Sequence, residues 1–170
     1  MKNKFLLLVA CLGVLSSCNN DDNGGNNSTT NPVGTYKLTA FNISEAQDLN
    51  GDGTPSVNQM SETACLNESY MTLNADNTFT YDDKGIEIIM NGESESIGCY
   101  EDGDVTGTWS VSGTTLTLTY SFDGDVYNDV YAVSGSTITL TVPDGEAIGT
   151  TEQGAPVYVT TDINAVYTKQ

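Results

Sequence analysis

The stretch Asp48-Leu-Asn-Gly-Asp-Gly-Thr-Pro-Ser56 carries the most chemically specific spacing in the sequence. Asp48, Asn50 and Asp52 supply side-chain oxygens at positions 1, 3 and 5 of a calcium-type loop. Gly53 stands at position 6, where the backbone must turn sharply, with the Thr54 carbonyl at position 7 and Ser56 at position 9. Gln59 occupies position 12, where such loops carry a bidentate glutamate, and Glu62 follows three residues later. A calcium loop without that ligand is expected to bind weakly, as extracellular modules do. The competing reading is a plain polar turn, since Asp, Asn and Gly favour turns without any ion.

The remaining acidic clusters are Asp82-Asp83, Glu101-Asp-Gly-Asp104 and Asp123-Gly-Asp125, each expected at a solvated turn between strands. Paired carboxylates hydrolyse glycosides only when they face each other across a cleft, and nothing in the sequence places two so. The chain has no histidine, so no imidazole can serve as base, triad member or metal ligand. Serine and threonine are plentiful, but no Gly-x-Ser-x-Gly elbow is present. The inventory points away from an enzyme. With no arginine and a formal charge of −18, it also points away from nucleic acid, whose phosphates are met by lysine and arginine.

Four cysteines remain to be placed: Cys11, Cys18, Cys65 and Cys99. Met1-Lys-Asn-Lys4 is a short basic start, and Phe5 to Leu15 is an apolar run broken only by Gly13. That run falls short of the roughly 20 residues needed to span a bilayer and reads as a secretory signal over residues 1–17. Its exit, Leu15-Ser16-Ser17-Cys18, resembles the lipobox of bacterial lipoproteins, in which Cys18 would be lipidated and become the first mature residue. The protein would then be anchored to a membrane through its acyl chains. Residues 18–31 contain almost nothing apolar and read as a flexible polar tether. Asp21 and Asp22, just after the cysteine, resemble the export signal of surface lipoproteins in Bacteroidetes, which suggests the outer membrane.

Loss of the signal removes Lys2, Lys4 and Cys11. Three lysines then stand against 23 acids, a side-chain charge of −20. Cys65 and Cys99 are left as one pair in an oxidising compartment, where a disulfide is expected. Two thiolates on a metal are the rival reading, which lacks a third ligand of the right type.

These residues must be positioned by strands. From Pro32 to Gln170 the pattern alternates, turn residues recur, and no helical period is sustained. Tyr36, Leu38 and Ala40 share one face of a first strand. Met71 and Leu73, then Phe79 and Tyr81, flank the hairpin turn Asn74-Ala-Asp-Asn77. Ile86, Ile88 and Met90 are predicted as a further, separate strand. Val111-Ser-Gly-Thr-Thr-Leu-Thr-Leu-Thr-Tyr120 is echoed by Val133-Ser-Gly-Ser-Thr-Ile-Thr-Leu-Thr-Val142. Threonine on the wet face and Leu or Ile on the dry face suit a half-buried antiparallel sheet. About eight to ten such strands, joined by short turns, hide their edges best by closing into an up-and-down β-barrel.

Gly34-Thr-Tyr-Lys-Leu38, Leu73-Asn-Ala-Asp-Asn-Thr-Phe-Thr80 and Gly107-Thr-Trp-Ser-Val-Ser-Gly-Thr-Thr-Leu-Thr-Leu118 occur in an order similar to that of the lipocalin-like lipoproteins of Bacteroidetes. The resemblance covers nearly all of Gly34–Lys169 and implies a barrel with a ligand cavity. Two departures are visible. Tyr36 stands where lipocalins usually place tryptophan, and the late arginine that packs across that tryptophan has no counterpart.

The leading expectation is a lipid-anchored, non-catalytic binding or accessory module over 32–170, taking a small apolar or sugar ligand. Its alternative is a structural or interaction protein with a filled barrel, working through its loops on protein partners. A carboxylate-based hydrolase comes third. Trp109, Tyr36, Phe79 and Tyr81 fall on the apolar side of their strands and are expected to fill the core.

Overall fold

The computed structural model describes residues 31–170. The expected signal (1–17), nearly all of the tether (18–31) and the lipidation residue Cys18 lie outside the described residues. From Gly34 onward the chain is strand after strand: β1 (Gly34–Gln47), a short β2 (Ser56–Asn58), β3 (Tyr70–Leu73), β4 (Thr78–Asn91), β5 (Ser94–Ser112), β6 (Thr115–Phe122), β7 (Asp125–Ser134), β8 (Thr137–Thr150) and β9 (Pro156–Lys169). A single 3-10 turn, Gln59–Ser61, follows β2. Strands β1 and β3–β9 pair antiparallel in chain order, and β9 returns to β1, so eight strands form a closed barrel with β2 as an extra strip on β1.

The period-2 pattern explains most of this, and three register shifts explain the rest. On β1, Leu38 faces Tyr167 but Ala40 faces Val166, so one residue is extra. This bulge turns the inward set from Tyr36 and Leu38 to Phe41 and Ile43, and Ala40 does not continue the face expected of it. A second shift, between Asp82 and Lys84, lets β4 bend and run on through Ile86, Ile88 and Met90. Those three residues are therefore the far half of β4, not a separate strand. The third lies between Val142 and Gly145 on β8.

In an up-and-down barrel the connections alternate between two ends. The turns β3–β4, β5–β6 and β7–β8 and both ends of the domain lie at one end, here called the closed end. Its interior is filled by Tyr36, Met71, Leu73, Phe79, Leu116 and Ile138, all almost fully buried. Trp109 ties this packing to the hairpin turn. Its backbone N–H donates to Asn77 O at 2.8 Å and its indole Nε1 donates to Asn74 O at 3.0 Å. Gly107 beside it admits no side chain, because a Cβ there would lie 2.2 Å from Thr119 O.

The other end, the mouth, has a wall of uneven height. The β4–β5 and β8–β9 ribbons rise high, while β6 and β7 turn back early at Asp123–Gly124. Strand β3 is only four residues long. The segment 59–69 fills the gap above it, with Leu66 buried in the main core and Met60 packed against it.

Candidate functional site

The expected disulfide is present: Cys65 and Cys99 are bonded, with Cα atoms 5.0 Å apart. It fastens the 59–69 segment to β5 across the mouth. The loop is held from the other side as well. Gln59 is buried and its Nε2 donates to Ile148 O on β8 at 2.6 Å, and Gln47 Oε1 accepts from Thr150 N at 2.9 Å. The β1–β3 connection is therefore held between β5 and β8, above the short β3.

The Asp48–Ser56 loop hangs outside this cover. Asp48 accepts from Asp52 N at 3.1 Å through Oδ1 and from Gly53 N at 2.9 Å through Oδ2. Asn50 Oδ1 accepts from Asp52 N at 2.8 Å, and Asp52 Oδ1 from Thr54 N at 2.8 Å. Asp48, Asn50 and Asp52 are thus brought together around the loop backbone. Ser56 is not, because its hydroxyl meets Asn58 N and Ser61 Oγ. Gln59 is turned into the barrel, and Glu62 reaches back to accept from Leu49 N at 3.2 Å. Among the described residues no cluster of three or more Asp, Glu, His or Cys side chains is gathered to hold a metal ion.

The acidic clusters divide. Asp123-Gly-Asp125 is a hairpin tip as expected. Asp82-Asp83 and Glu101–Asp104 are not at a turn: they face each other within the β4–β5 ribbon, at its bulge, with Asp82 opposite Asp104. The tip of that ribbon lies farther on, at Gly92-Glu93. Lys84 relieves part of this charge, lying 3.3 Å from Glu101 Oε1.

On the low side of the wall, between β4, β5, β6 and β7, a cavity of about 270 Å3 opens into the upper barrel. Phe79 and Leu118 form its floor, and Tyr81, Tyr120, Tyr127 and Tyr131 line it with Phe122 and Asp83. The strand period places these residues. Leu118, Tyr120 and Phe122 are inward positions of β6, and Tyr127, Asp129 and Tyr131 are inward positions of β7. The rings of Tyr120 and Tyr127 stack with centroids 5.6 Å apart and planes 20° from parallel. Phe79 meets Tyr120 edge-on at 6.2 Å. Tyr120 Oη donates to Asp129 Oδ2 at 3.1 Å.

Burial governs the titration of these groups. It pushes the Tyr81 hydroxyl up to about 12. It raises Tyr120, with the Asp129 charge adding to the effect, and holds Tyr131 and Tyr167 well above the ordinary tyrosine value. Asp129 is raised by burial, against the lowering effect of its bond from Tyr120. Asp83 is raised by burial and by the neighbouring charge of Asp102. The lining thus carries one partly desolvated carboxyl, Asp83, and a second, Asp129, lies beside it on the inward face of β7 between the lining residues Tyr127 and Tyr131.

Of the four aromatic residues assigned to the core, Tyr36, Phe79 and Trp109 fill it, while Tyr81 stands at the boundary. Tyr81 lines the β4–β7 cavity and also a second one of about 200 Å3 beneath the loop, with Leu66, Lys84 and Tyr100. Tyr120, Tyr127 and Asp129 were not among the residues expected to form a site. The signal was present: Tyr127-x-Asp129-x-Tyr131-x-Val133 sets a carboxylate in phase with inward residues.

The family model described as a lipocalin-like domain matches residues 32–142. Its match ends within β8, while the barrel continues to Lys169. No curated protein matches the chain.

Proposed function

The chain belongs to the lipocalin-like domain family, and from that premise we propose that it is a non-catalytic binding protein that takes a small ligand into the barrel mouth. The observation that carries this reading is the tyrosine-lined cavity on the low side of the wall. At about 270 Å3 it lies just below the usual range for small-molecule sites, which suits a small ligand, and it has their character: mostly aromatic lining with a few polar groups. The filled closed end gives the cavity a rigid floor. Protein exported to a periplasm and purified gently should carry an extra small-molecule mass in a native mass spectrum. That mass should be lost when Tyr127 is changed to Ala. A bare polypeptide in every preparation would favour the alternative, a structural or interaction protein with a filled barrel that works through its loops and acidic surface.

The reading includes attachment to the outer membrane through lipid on Cys18, supported by the basic start, the apolar run and Leu15-Ser-Ser-Cys18. A Cys18→Ser variant recovered in the soluble fraction would support the anchor, and one still bound to membranes would sink it. Weak calcium binding at Asp48, Asn50 and Asp52 is proposed as an accessory that orders the outer loop, supported by their convergence on one turn. Isothermal titration should show heat at millimolar calcium that Asp52→Ala removes, and the absence of heat in the parent protein ends that part of the proposal.

A further inference from the structure

The β4–β7 cavity combines three features that a purely apolar site would not have. The first is a half-buried carboxyl beside the lining, Asp129, on the inward face of β7 between the lining residues Tyr127 and Tyr131 and opposite Leu118 in the β6 register. Among the described residues its side chain has one partner, Tyr120, on one of its two oxygens. The second is a further carboxyl, Asp83, on the lining itself. The third is a set of tyrosine faces around them, with Tyr120 and Tyr127 stacked. None of Lys37, Lys84 and Lys169 lines this cavity. Lys37 is paired with Glu68 and Lys84 with Glu101, while Lys169 lies over Tyr36 at the closed end.

Carboxylates withdrawn from water without a basic partner are costly, and the missing component is a positive charge. Aromatic faces supply the same preference by a separate route, since a cation over a tyrosine ring is attracted by its quadrupole. An anion would meet two carboxyl groups on a chain that is acidic throughout. A sugar would find faces to stack on, but it would leave both charges uncompensated.

We infer that this cavity takes a small organic cation, an amine or ammonium group carried on an aromatic or apolar body. The ammonium lies between Asp129 and Asp83, and the body lies against Tyr120, Tyr127 and Phe122. This rests on the proposed reading of the mouth as a ligand site and names the ligand's chemistry.

Three soluble probes of one shape separate the outcomes: phenethylamine, 2-phenylethanol and 3-phenylpropanoate, titrated into the exported protein by calorimetry at neutral pH. The amine should bind at least tenfold tighter than the alcohol, and the propanoate should not bind. Asp129→Asn should reduce the amine's advantage about tenfold while leaving the alcohol unchanged. Asp83→Asn should act the same way and serves if the first variant fails to fold, as judged by its thermal melt. Either variant removes one charge from a chain with 23 acids, so a lost preference reports the site and not the general field of the protein. Equal binding of amine and alcohol, or an advantage that survives both variants, overturns the cation inference and leaves the cavity reading standing. Binding of none of the three overturns both.

Discussion

At the closed end the inward positions of the barrel carry Leu73, Phe79, Leu116 and Ile138, each with 2% or less of its surface exposed. One or two steps along the same or neighbouring strands the inward positions carry Tyr81, Tyr120, Phe122, Tyr127 and Asp129, and exposure reaches 42% at Tyr127 and 54% at Phe122. The alternation is the same at both ends. What changes is the size and polarity of the side chains and the height of the wall around them. Leucine and isoleucine interdigitate and leave no room, whereas tyrosines on short strands stand as a lined opening. One barrel can therefore be a packed core below and a site above, with Phe79 and Leu118 as the boundary.

The contrast is broken most directly by cutting one large side chain from each end. Phe79→Ala should cost about 3 to 5 kcal/mol, because the packed floor cannot collapse around the hole. Phe122→Ala should cost under about 1 kcal/mol, as for an exposed residue away from any buried network. Urea melts of both variants measure the difference. Similar losses would mean that the mouth is as tightly packed as the floor.

The disulfide tests whether the mouth's cover is a separate unit. It closes a loop of 34 residues, which loop-entropy reasoning values at roughly 3 to 4 kcal/mol. In Cys65→Ser/Cys99→Ser the loss should fall unevenly. Amides of 59–69 should exchange quickly, while those of β3, β6 and the Trp109 clamp should keep their protection relative to global unfolding. Uniform loss of protection would show that the two ends open together.

How far the sequence could be read follows the same division. Hairpins at Asn74–Asn77 and Ser112–Gly113, the inward Leu and Ile of β6 and β8, and the Cys65–Cys99 pair were legible because alternation, turn chemistry and elimination each act locally. The bulges were not, since an extra residue at Thr39, or at Asp102–Gly103 opposite Asp83, changes phase only relative to a partner strand. That is why β4 reads as two strands and why its acidic bulge reads as a turn. The mouth was missed for a related reason. A tyrosine on an inward phase packs or lines according to the height of the neighbouring wall, and that height is set by where other strands end.

A smaller effect concerns the charge in the mouth. Burial raises the carboxyl groups of Asp129 and Asp83 in the folded protein, so the folded state takes up protons at higher pH than the unfolded chain. Their burden on stability is therefore present at neutral pH and is relieved as pH falls through the raised values. Asp129 faces Tyr120, Tyr127 and Tyr131, with Tyr81 and Asp83 across the cavity. Burial holds Tyr81, Tyr120 and Tyr131 above the ordinary tyrosine value, so the two carboxyl groups set the local response in the acid range. Asp129→Asn should melt at the same temperature as the parent protein or slightly above it at pH 7, and the difference should close on acidification. A variant that melts far lower at pH 7 would mean that the charge stabilises the fold.

The smallest effect belongs to the closed end, where Tyr36 stands in place of tryptophan and no arginine is available to cross it. Lys169, one residue from the C-terminus, takes that position, with its Nζ 5.8 Å from the centre of the Tyr36 ring. Its stem lies over Gly34, where a Cβ would come 2.6 Å from Lys169 Cε, so the glycine makes room for the lysine. Tyr36 is fixed from behind by its hydroxyl, which donates to Pro32 O at 2.8 Å. A cation over a ring at an exposed site contributes about 0.5 kcal/mol. Lys169→Met keeps the stem and removes the charge, and should cost about that much. Lys169→Arg should be neutral or slightly stabilising, because a planar guanidinium stacks better on an aromatic face. A double-mutant cycle of Lys169→Met with Tyr36→Leu isolates the coupling from the much larger loss of the ring itself. Zero coupling would mean that the lysine merely covers the ring and that the filled floor alone closes this end of the barrel.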